Sequence, residues 1–165
     1  MRDTRPLLLQ SDFPSLNRSK LETVQVKLGY LCNLSCVHCH VNAGPQRTEL
    51  MDRETVDQVL ALLAGSGARV LDLTGGAPEL NPHFRYLVRE ARSLGVRVID
   101  RSNLTVLFEP GQQDLAAFLA EQQGERTASL PCYLEANVEE QRGKGVYEDS
   151  IRAIRQLNAL GYGDT

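Results

Sequence analysis

The sequence lacks long hydrophobic runs, and the longest near its start is the three-residue stretch Leu7-Leu8-Leu9. Three residues are too few for the apolar core of a signal peptide or for a membrane-spanning helix. The sequence also lacks a block of lysine and arginine, because its 18 basic and 21 acidic residues are spread along the chain, with a net charge of −3. We therefore expect a cytoplasmic protein that binds neither nucleic acid nor membrane.

Cysteine is scarce, with four residues in a chain of 165. In a cytoplasmic protein, cysteines are more often metal ligands or catalytic groups than disulfide partners. Three of the four lie between Cys32 and Cys39, and disulfides between such close neighbours would constrain the unfolded chain very little. The apolar fraction of 42% and the charged fraction of 24% are typical of a globular domain.

Apolar residues alternate between strand spacing and helix spacing along most of the chain. Residues 1–22 show no periodicity and are predicted as an extended lead-in, whereas residues 23–165 are predicted as one α/β domain. Within that domain, the pattern predicts strands at residues 24–28, 70–73, 96–99 and 127–132, each followed by a helix, at residues 56–63, 84–91, 115–119 and 147–154. Asn81 is the predicted N-cap of the second helix.

This β-α alternation implies parallel strands joined by right-handed crossovers. An open doubly wound sheet and part of a (β/α) barrel both satisfy it. The chain ends just after the last predicted helix, where a fifth strand would be expected, so the domain is predicted to be incomplete at its C-terminus.

The loop after the first strand carries the main chemical signal, a C-x3-C-x2-C pattern formed by Cys32, Cys36 and Cys39. A [4Fe–4S] cluster usually takes four thiolates, so three on one loop leave one iron without a protein ligand. The amino and carboxylate groups of S-adenosylmethionine could fill that position, and one electron from the cluster could then release an adenosyl radical. The loop follows the C-terminal end of a strand, where β/α folds build active sites.

Three other interpretations of this loop stay open. The cysteines could form a structural zinc site with His38 or His40. The segment from Cys36 to His40 also matches the C-x-x-C-H pattern of covalent haem attachment, although this leaves Cys32 unused. A ferredoxin-like electron carrier would need a fourth cysteine, for which Cys132 is the candidate.

The cysteine loop resembles that of the radical S-adenosylmethionine superfamily, whose pattern is C-x3-C-x-φ-C with φ usually aromatic. His38 occupies the φ position, and the resemblance implies that its ring contacts adenine. It also implies a TIM-like barrel of six β/α units, of which this chain would contain about the first four. Gly75 and Gly76 match a glycine turn that receives the amino group of the cofactor, whereas the acidic residue of that turn is displaced to Glu79.

Several polar residues are predicted on the same rim as the cysteine loop. Ser102 and Asn103 follow the third predicted strand, and Asn103 could bind the cofactor or cap its own turn. Cys132 follows the fourth predicted strand, where it could bind a soft atom or pack as a small hydrophobic residue. The loop beyond it contains three further polar residues with no assigned role, Glu135, Asn137 and Arg142.

Four segments resemble one family within the superfamily, the arsenosugar-biosynthesis radical S-adenosylmethionine proteins; they are LGYLCNLSCVHCHVNAGP (28–45), LTGGAPEL (73–80), RSNLT (101–105) and SLPCY (129–133). His38 and His40 fit that family's variant of the loop. The resemblance implies transfer of the 5′-deoxyadenosyl group to a methylated trivalent arsenical, with an external one-electron donor such as flavodoxin or ferredoxin. Trivalent arsenic is soft, so the thiol of Cys132 is a candidate to hold it. A radical enzyme with another substrate, such as a peptide, is the alternative.

Overall fold

The computed structural model describes residues 19–163 and, before them, positions 3, 5–9, 12, 14 and 17. A short helix, α1, runs over Arg5–Leu8. The extended conformation predicted for residues 1–22 is therefore wrong for these four residues, and much of the remaining lead-in lies outside the described residues.

Four parallel strands form one sheet in the described part of the chain, in the order β1-β2-β3-β4. Their bounds are Thr23–Lys27, Val70–Thr74, Arg97–Ser102 and Glu125–Ala128. The register places Asp72 opposite Gln25 on β1 and opposite Ile99 on β3. Parallel pairing between strands that follow one another in the chain confirms the predicted β-α alternation.

Helices connect the strands and continue beyond the last one. They are α2 over Arg53–Ser66, α3 over Phe84–Ser93, α4 over Leu115–Glu121, α5 over Glu135–Arg142 and α6 over Val146–Asn158. Short 3₁₀ turns follow β2 at Pro78–Leu80 and β3 at Thr105–Phe108. The fold is thus an α/β sheet with the topology of a partial TIM-like barrel, as predicted. No helix in the described part of the chain has the length and apolar character needed to span a bilayer.

The two faces of the sheet differ in what covers them. Side chains on the helix-covered face, including Leu71, Leu73 and Val98, belong to one buried cluster with Phe84 and Leu87 of α3. Burying an aliphatic or aromatic side chain of this size contributes about 1.5–3 kcal/mol. The opposite face, which we call the open face, is formed by the intervening residues of each strand, since successive side chains of a strand point to opposite sides.

Three local predictions were wrong. The fourth strand ends at Ala128, so it lies earlier in the chain than the predicted range 127–132. Residues Glu135, Asn137 and Arg142 belong to helix α5 rather than to a loop. Asn81 is not an N-cap, because α3 begins three residues later and its N-cap is His83. The buried amide of Asn81 instead donates hydrogen bonds to the carbonyls of Leu28 and Met51, which joins the turn after β2 to the two ends of the loop between β1 and α2.

Candidate functional site

The cysteine loop leaves the end of β1 and is held by backbone hydrogen bonds along its base. The amide of Cys32 donates to the carbonyl of Gly44 at 3.2 Å, and the amide of Gly44 donates to that of Tyr30 at 3.1 Å. A tight turn follows, in which the amide of Cys39 donates to the carbonyl of Cys36 at 3.1 Å. This backbone arrangement directs three thiols from one loop toward one space.

Cys32, Cys36 and Cys39 all line a cavity of about 370 Å³ at the C-terminal ends of the strands. Burial raises the pKa of Cys32 and of Cys36. Among the described residues, no three His, Cys, Asp or Glu side chains converge closely enough to hold a single metal ion. A tetrahedral zinc ion needs such convergence. The three thiols nevertheless line one cavity, which is the arrangement required of ligands to separate corners of one iron–sulfur cluster.

The glycine turn after β2 packs directly on the cysteine loop. The amide of Gly76 donates to the carbonyl of Gly29 at 3.0 Å. A Cβ atom on Gly75 would lie 2.7 Å from that same carbonyl oxygen, and one on Gly76 would collide with the carbonyl of Leu31. Both glycines also line the cavity. The close approach of the two loops is therefore a packing reason for glycine here, in addition to the ligand contact that the sequence predicted.

Glu79 does not face the cavity with these glycines. Its side chain is 0% exposed and forms an ion pair with Arg126 of β4 at 3.2 Å, on the helix-covered side of the sheet. Glu79, the displaced acidic residue of the turn, is thus paired with Arg126 and does not line the cavity.

Asn103 lies between the cysteine loop and the turn after β3. Its amide nitrogen is 2.7 Å from the side-chain oxygen of Asn33 and 3.5 Å from Sγ of Cys32. Its amide oxygen accepts a hydrogen bond from the amide of Val106, so it also caps the following turn. Asn103 and Ser102 both line the cavity, although Ser102 is the last residue of β3 and does not follow it as predicted.

Arg142 is a site residue that the sequence interpretation left without a role. It is 8% exposed and lines the cavity from the end of α5. Its guanidinium donates to the carbonyl of Ser129 at 2.6 Å and to the hydroxyl of the same residue, while Nε has no partner. Burial lowers the pKa of Arg142, and the nearby thiols of Cys36 and Cys32 oppose this shift.

The helical spacing of the sequence contains a signal for Arg142. Arg142 lies four residues after Val138, and both are buried on α5. Residues four apart share a helix face, so a helix prediction over this segment would have placed Arg142 beside the core. The amide of Val37 also donates to the carbonyl of Gln141 at 3.1 Å, which ties the end of α5 to the cysteine loop.

Arg101 of β3 is the second cationic residue that lines the cavity. Its Nε and Nη2 donate to the two carboxylate oxygens of Asp72 at 2.7 and 2.8 Å, and Gln25 donates to the same carboxylate at 2.9 Å. The hydrogen bond from Arg101 is the main reason why the pKa of Asp72 is lowered. Neither Arg101 nor Asp72 was identified from the sequence.

The remaining predicted site residues differ in their relation to the cavity. His38 and His40 line it. Cys132 does not, although Thr127 and Ser129 of the same segment do. Hydrogen bonds from the amide of Leu134 and the side chain of Asn137, both 3.4 Å long, lower the pKa of the partly exposed Cys132 thiol.

Comparisons with known proteins identify related sequences. A GTP 3′,8-cyclase of Chlorobaculum tepidum is 36% identical to this chain over 73 residues, which cover 44% of the chain and 22% of that enzyme. A probable GTP 3′,8-cyclase of Sulfurisphaera tokodaii is 29% identical over 88 residues, covering 53% of the chain and 28% of that protein. The chain thus spans less than a third of the length of these curated relatives.

Solved structures show the same fold. Streptococcus suis SuiB bound to its precursor peptide SuiA superposes with a TM-score of 0.68 at 19% identity, covering 86% of this chain and 31% of SuiB. The protein anSMEcpe with bound AdoMet superposes with a TM-score of 0.69 at 17% identity, covering 87% of this chain and 42% of that protein. The family model of the radical SAM superfamily matches residues 26–165. The chain therefore belongs to the radical SAM superfamily, whose members use a [4Fe–4S] cluster and S-adenosylmethionine.

Proposed function

We propose that Cys32, Cys36 and Cys39 hold the [4Fe–4S] cluster and leave one iron open for S-adenosylmethionine. The observation that supports this most is that all three thiols share one cavity with Gly75 and Gly76. When bound, the cluster supplies the electron that cleaves the sulfonium bond of S-adenosylmethionine.

The residues around the thiols have complementary tasks in this proposal. The backbone of Gly75 and Gly76 receives the amino group of the cofactor, and the ring of His38 contacts its adenine. Asn103 holds Cys32 in place through the hydrogen bond to its sulfur. Arg142 binds the carboxylate, because it is a buried cation beside Cys36 with an unpartnered Nε, and a guanidinium matches carboxylate geometry.

The acceptor that we propose is a methylated trivalent arsenical, to which the 5′-deoxyadenosyl group is transferred. Four sequence segments support this choice through their resemblance to the arsenosugar-biosynthesis proteins. The lowered pKa of Cys132 favours its thiolate, which is the form that binds soft atoms. Cys132 lies outside the cavity lining, so its role requires that the arsenical reach the cavity mouth from the loop after β4.

The cluster proposal is tested by anaerobic reconstitution with iron and sulfide. Wild-type protein should bind about four irons per chain and, after reduction, cleave S-adenosylmethionine. Serine variants of Cys32, Cys36 or Cys39 should lose the iron, whereas Cys132→Ser should retain it. A zinc-loaded, colourless wild type would overturn the proposal.

The acceptor is tested by product analysis with reconstituted wild type. Addition of dimethylarsinous acid should yield a 5′-deoxyadenosyl arsenical, and Cys132→Ala should reduce its formation while leaving iron content unchanged. Because the identity to a GTP 3′,8-cyclase reaches 36%, GTP is the appropriate competing acceptor. Turnover of GTP without turnover of the arsenical would replace the proposed acceptor, and unchanged turnover by Cys132→Ala would refute the role of this thiol.

A further inference from the structure

The guanidinium of Arg101 is fixed on one edge and free on the other. Nε and Nη2 form two parallel hydrogen bonds with Asp72, which occupy the side-on edge of the group. The end-on edge consists of Nη1 and the second N–H of Nη2. In the described part of the chain, no protein group accepts a hydrogen bond from Nη1. A planar guanidinium held in this way presents two parallel donors in a fixed direction.

The carboxylate that anchors Arg101 is buried, whereas the free edge of the guanidinium is accessible. The side chain of Asp72 is 7% exposed and is held by Gln25 as well as by Arg101. The side chain of Arg101 is 45% exposed and lines the cavity that contains the three thiols. Buried anchoring groups that orient an accessible donor pair are typical of preorganised binding sites. Little side-chain entropy would be lost when a ligand binds, since Arg101 is already immobilised.

The charged groups in the cavity indicate what the free edge of Arg101 binds. Two guanidiniums, those of Arg101 and Arg142, line the same space. S-adenosylmethionine has one anionic group, its carboxylate. Arg142 lines the cavity with the thiols, and the neighbouring carbonyl of Gln141 accepts a hydrogen bond from Val37 of the cysteine loop, so Arg142 is the residue placed to bind the methionine end. Arg101 lies on the open face of the sheet, and its donor pair is left for a different molecule.

We propose that the end-on edge of Arg101 binds an oxyanion of the acceptor substrate, a carboxylate or a phosphate. This inference rests on the proposed function, since it concerns the second substrate of the same site. A neutral arsinous acid does not satisfy two parallel N–H donors in the way a carboxylate does. The preferred acceptor is therefore anionic, as the conjugate of trivalent arsenic with a thiol that carries a carboxylate would be, and free dimethylarsinous acid would be the weaker acceptor.

Equilibrium dialysis with defined probes tests this inference on the full chain with S-adenosylmethionine present. The probes are inorganic phosphate, the dimethylarsenic conjugate of 3-mercaptopropionate, and the matched conjugate of 3-mercaptopropionamide, which lacks the charge. Wild type should bind phosphate or the carboxylate conjugate at least about tenfold more tightly than the neutral amide conjugate. Which anion binds distinguishes a phosphate-bearing acceptor from a carboxylate-bearing one.

Variants on one strand supply the control. Arg101→Gln should abolish the preference for the anionic probe, and Arg101→Lys should restore it in part because it keeps the charge but loses the fork. Arg97→Gln is the matched control, because Arg97 lies on the same face of β3, pairs with Glu125 and does not line this cavity. Circular dichroism spectra of all three variants should match that of wild type.

Three outcomes would overturn the inference. They are equal binding of the charged and neutral probes, an unchanged preference in Arg101→Gln, and a tenfold loss of S-adenosylmethionine affinity in Arg101→Gln, which would assign Arg101 to the cofactor instead. Dialysis is also performed on cluster-free protein, since Asp72 and Gln25 hold Arg101 without the cysteines. Failure to form the cluster would therefore contradict the proposed function alone, while the anion preference is decided separately.

Discussion

Two aspartate–arginine pairs lie on opposite faces of the sheet, one between β2 and β3 and the other between β3 and β4. Asp72 and Arg101 pair on the open face. Asp100 and Arg126 pair on the helix-covered face, with Glu79 as a third member. Asp100 and Arg101 are neighbours in β3, so their side chains point to opposite faces of the sheet.

The pair of Asp72 and Arg101 on the open face is well hydrogen-bonded, and the end-on edge of Arg101 has N–H donors with no protein acceptor in the described part of the chain. Asp72 accepts three hydrogen bonds, two of them from Arg101 and one from Gln25. Arg101 remains accessible to a ligand in the cavity. Asp72 thus fixes one edge of the Arg101 guanidinium and leaves the other edge without a protein acceptor. Such an edge would be costly if it were buried, so it has to face solvent or a ligand.

The buried cluster of Glu79, Asp100 and Arg126 has no edge that solvent or a ligand can reach. Glu79 and Asp100 are 0% exposed and Arg126 is 2% exposed, and several of their polar atoms lack a hydrogen-bond partner. Burial, reinforced by the neighbouring Glu79, raises the pKa of Asp100 well above its usual range, and Arg126 opposes the shift. The cluster joins the turn after β2 to β3 and β4. The same pairing chemistry thus connects tertiary elements on the buried face, whereas on the accessible face it orients the group that we propose binds a ligand.

The largest expected effect comes from removing the buried cation. Arg126→Met should lower the free energy of unfolding by about 3–5 kcal/mol, because it leaves Glu79 and Asp100 buried without a cation. Arg101→Met is the matched variant on the open face and should cost less, about 1–2 kcal/mol, because Asp72 keeps the hydrogen bond from Gln25 and water can replace the half-exposed Arg101. Urea denaturation followed by circular dichroism measures both. Equal losses in the two variants would show that burial does not distinguish the pairs.

A smaller effect is expected from the pH dependence of Asp100. Because its pKa is raised in the folded state, the folded protein holds this proton to higher pH than the unfolded chain does. Stability should therefore fall as pH rises above about 4, by up to about 1.4 kcal/mol per pH unit, until the raised pKa is passed. Asp100 faces Glu79, Arg126 and Tyr162.

Asp100→Asn should remove this dependence, since an amide does not titrate. Denaturation curves recorded between pH 5 and 8 should be flatter for Asp100→Asn than for wild type. An unchanged slope would assign the pH dependence to another group.

Asp72 should show the opposite sign and a smaller effect. Hydrogen bonding to Arg101 lowers its pKa, so its contribution to stability is present above the unfolded value of about 4 and is lost as pH falls through the folded value. Asp72→Asn should cost about 1 kcal/mol or less at pH 7 and nothing at strongly acidic pH. A stability loss that grows on acidification would contradict this assignment.

The exposed pair on α2 is expected to give the smallest change in stability of the three pairs. Arg53 and Asp57 pair at 3.0 Å, but both side chains are about half exposed. Arg53→Ala should give no measurable change in the urea midpoint, because solvent competes effectively with such a pair. A clear loss here would mean that the difference between the other two pairs does not arise from burial.

Local patterns in the sequence predicted the elements that carry the core. The helical spacing of Val56 and Leu63 predicted α2, and both residues are buried in it. The fourth strand begins at Glu125 and Arg126, outside the predicted range 127–132, although the side chain of Arg126 is buried by pairing with two acids. Charged residues buried by a tertiary partner do not follow the hydrophobic pattern that predicts strands.

Ligand spacing and the order of strands along the chain are local properties, so the amino-acid sequence was enough to predict the three-thiol loop and its place after the first strand. The orientation of Glu79 away from the cavity, and of Arg101 and Arg142 toward it, is visible only in the folded chain. The orientation of these side chains depends on strand register and on partners that are distant in the chain, such as Asp72 for Arg101 and Ser129 for Arg142. Such partners form only when the strands pack side by side, so no periodicity within a single segment reveals them.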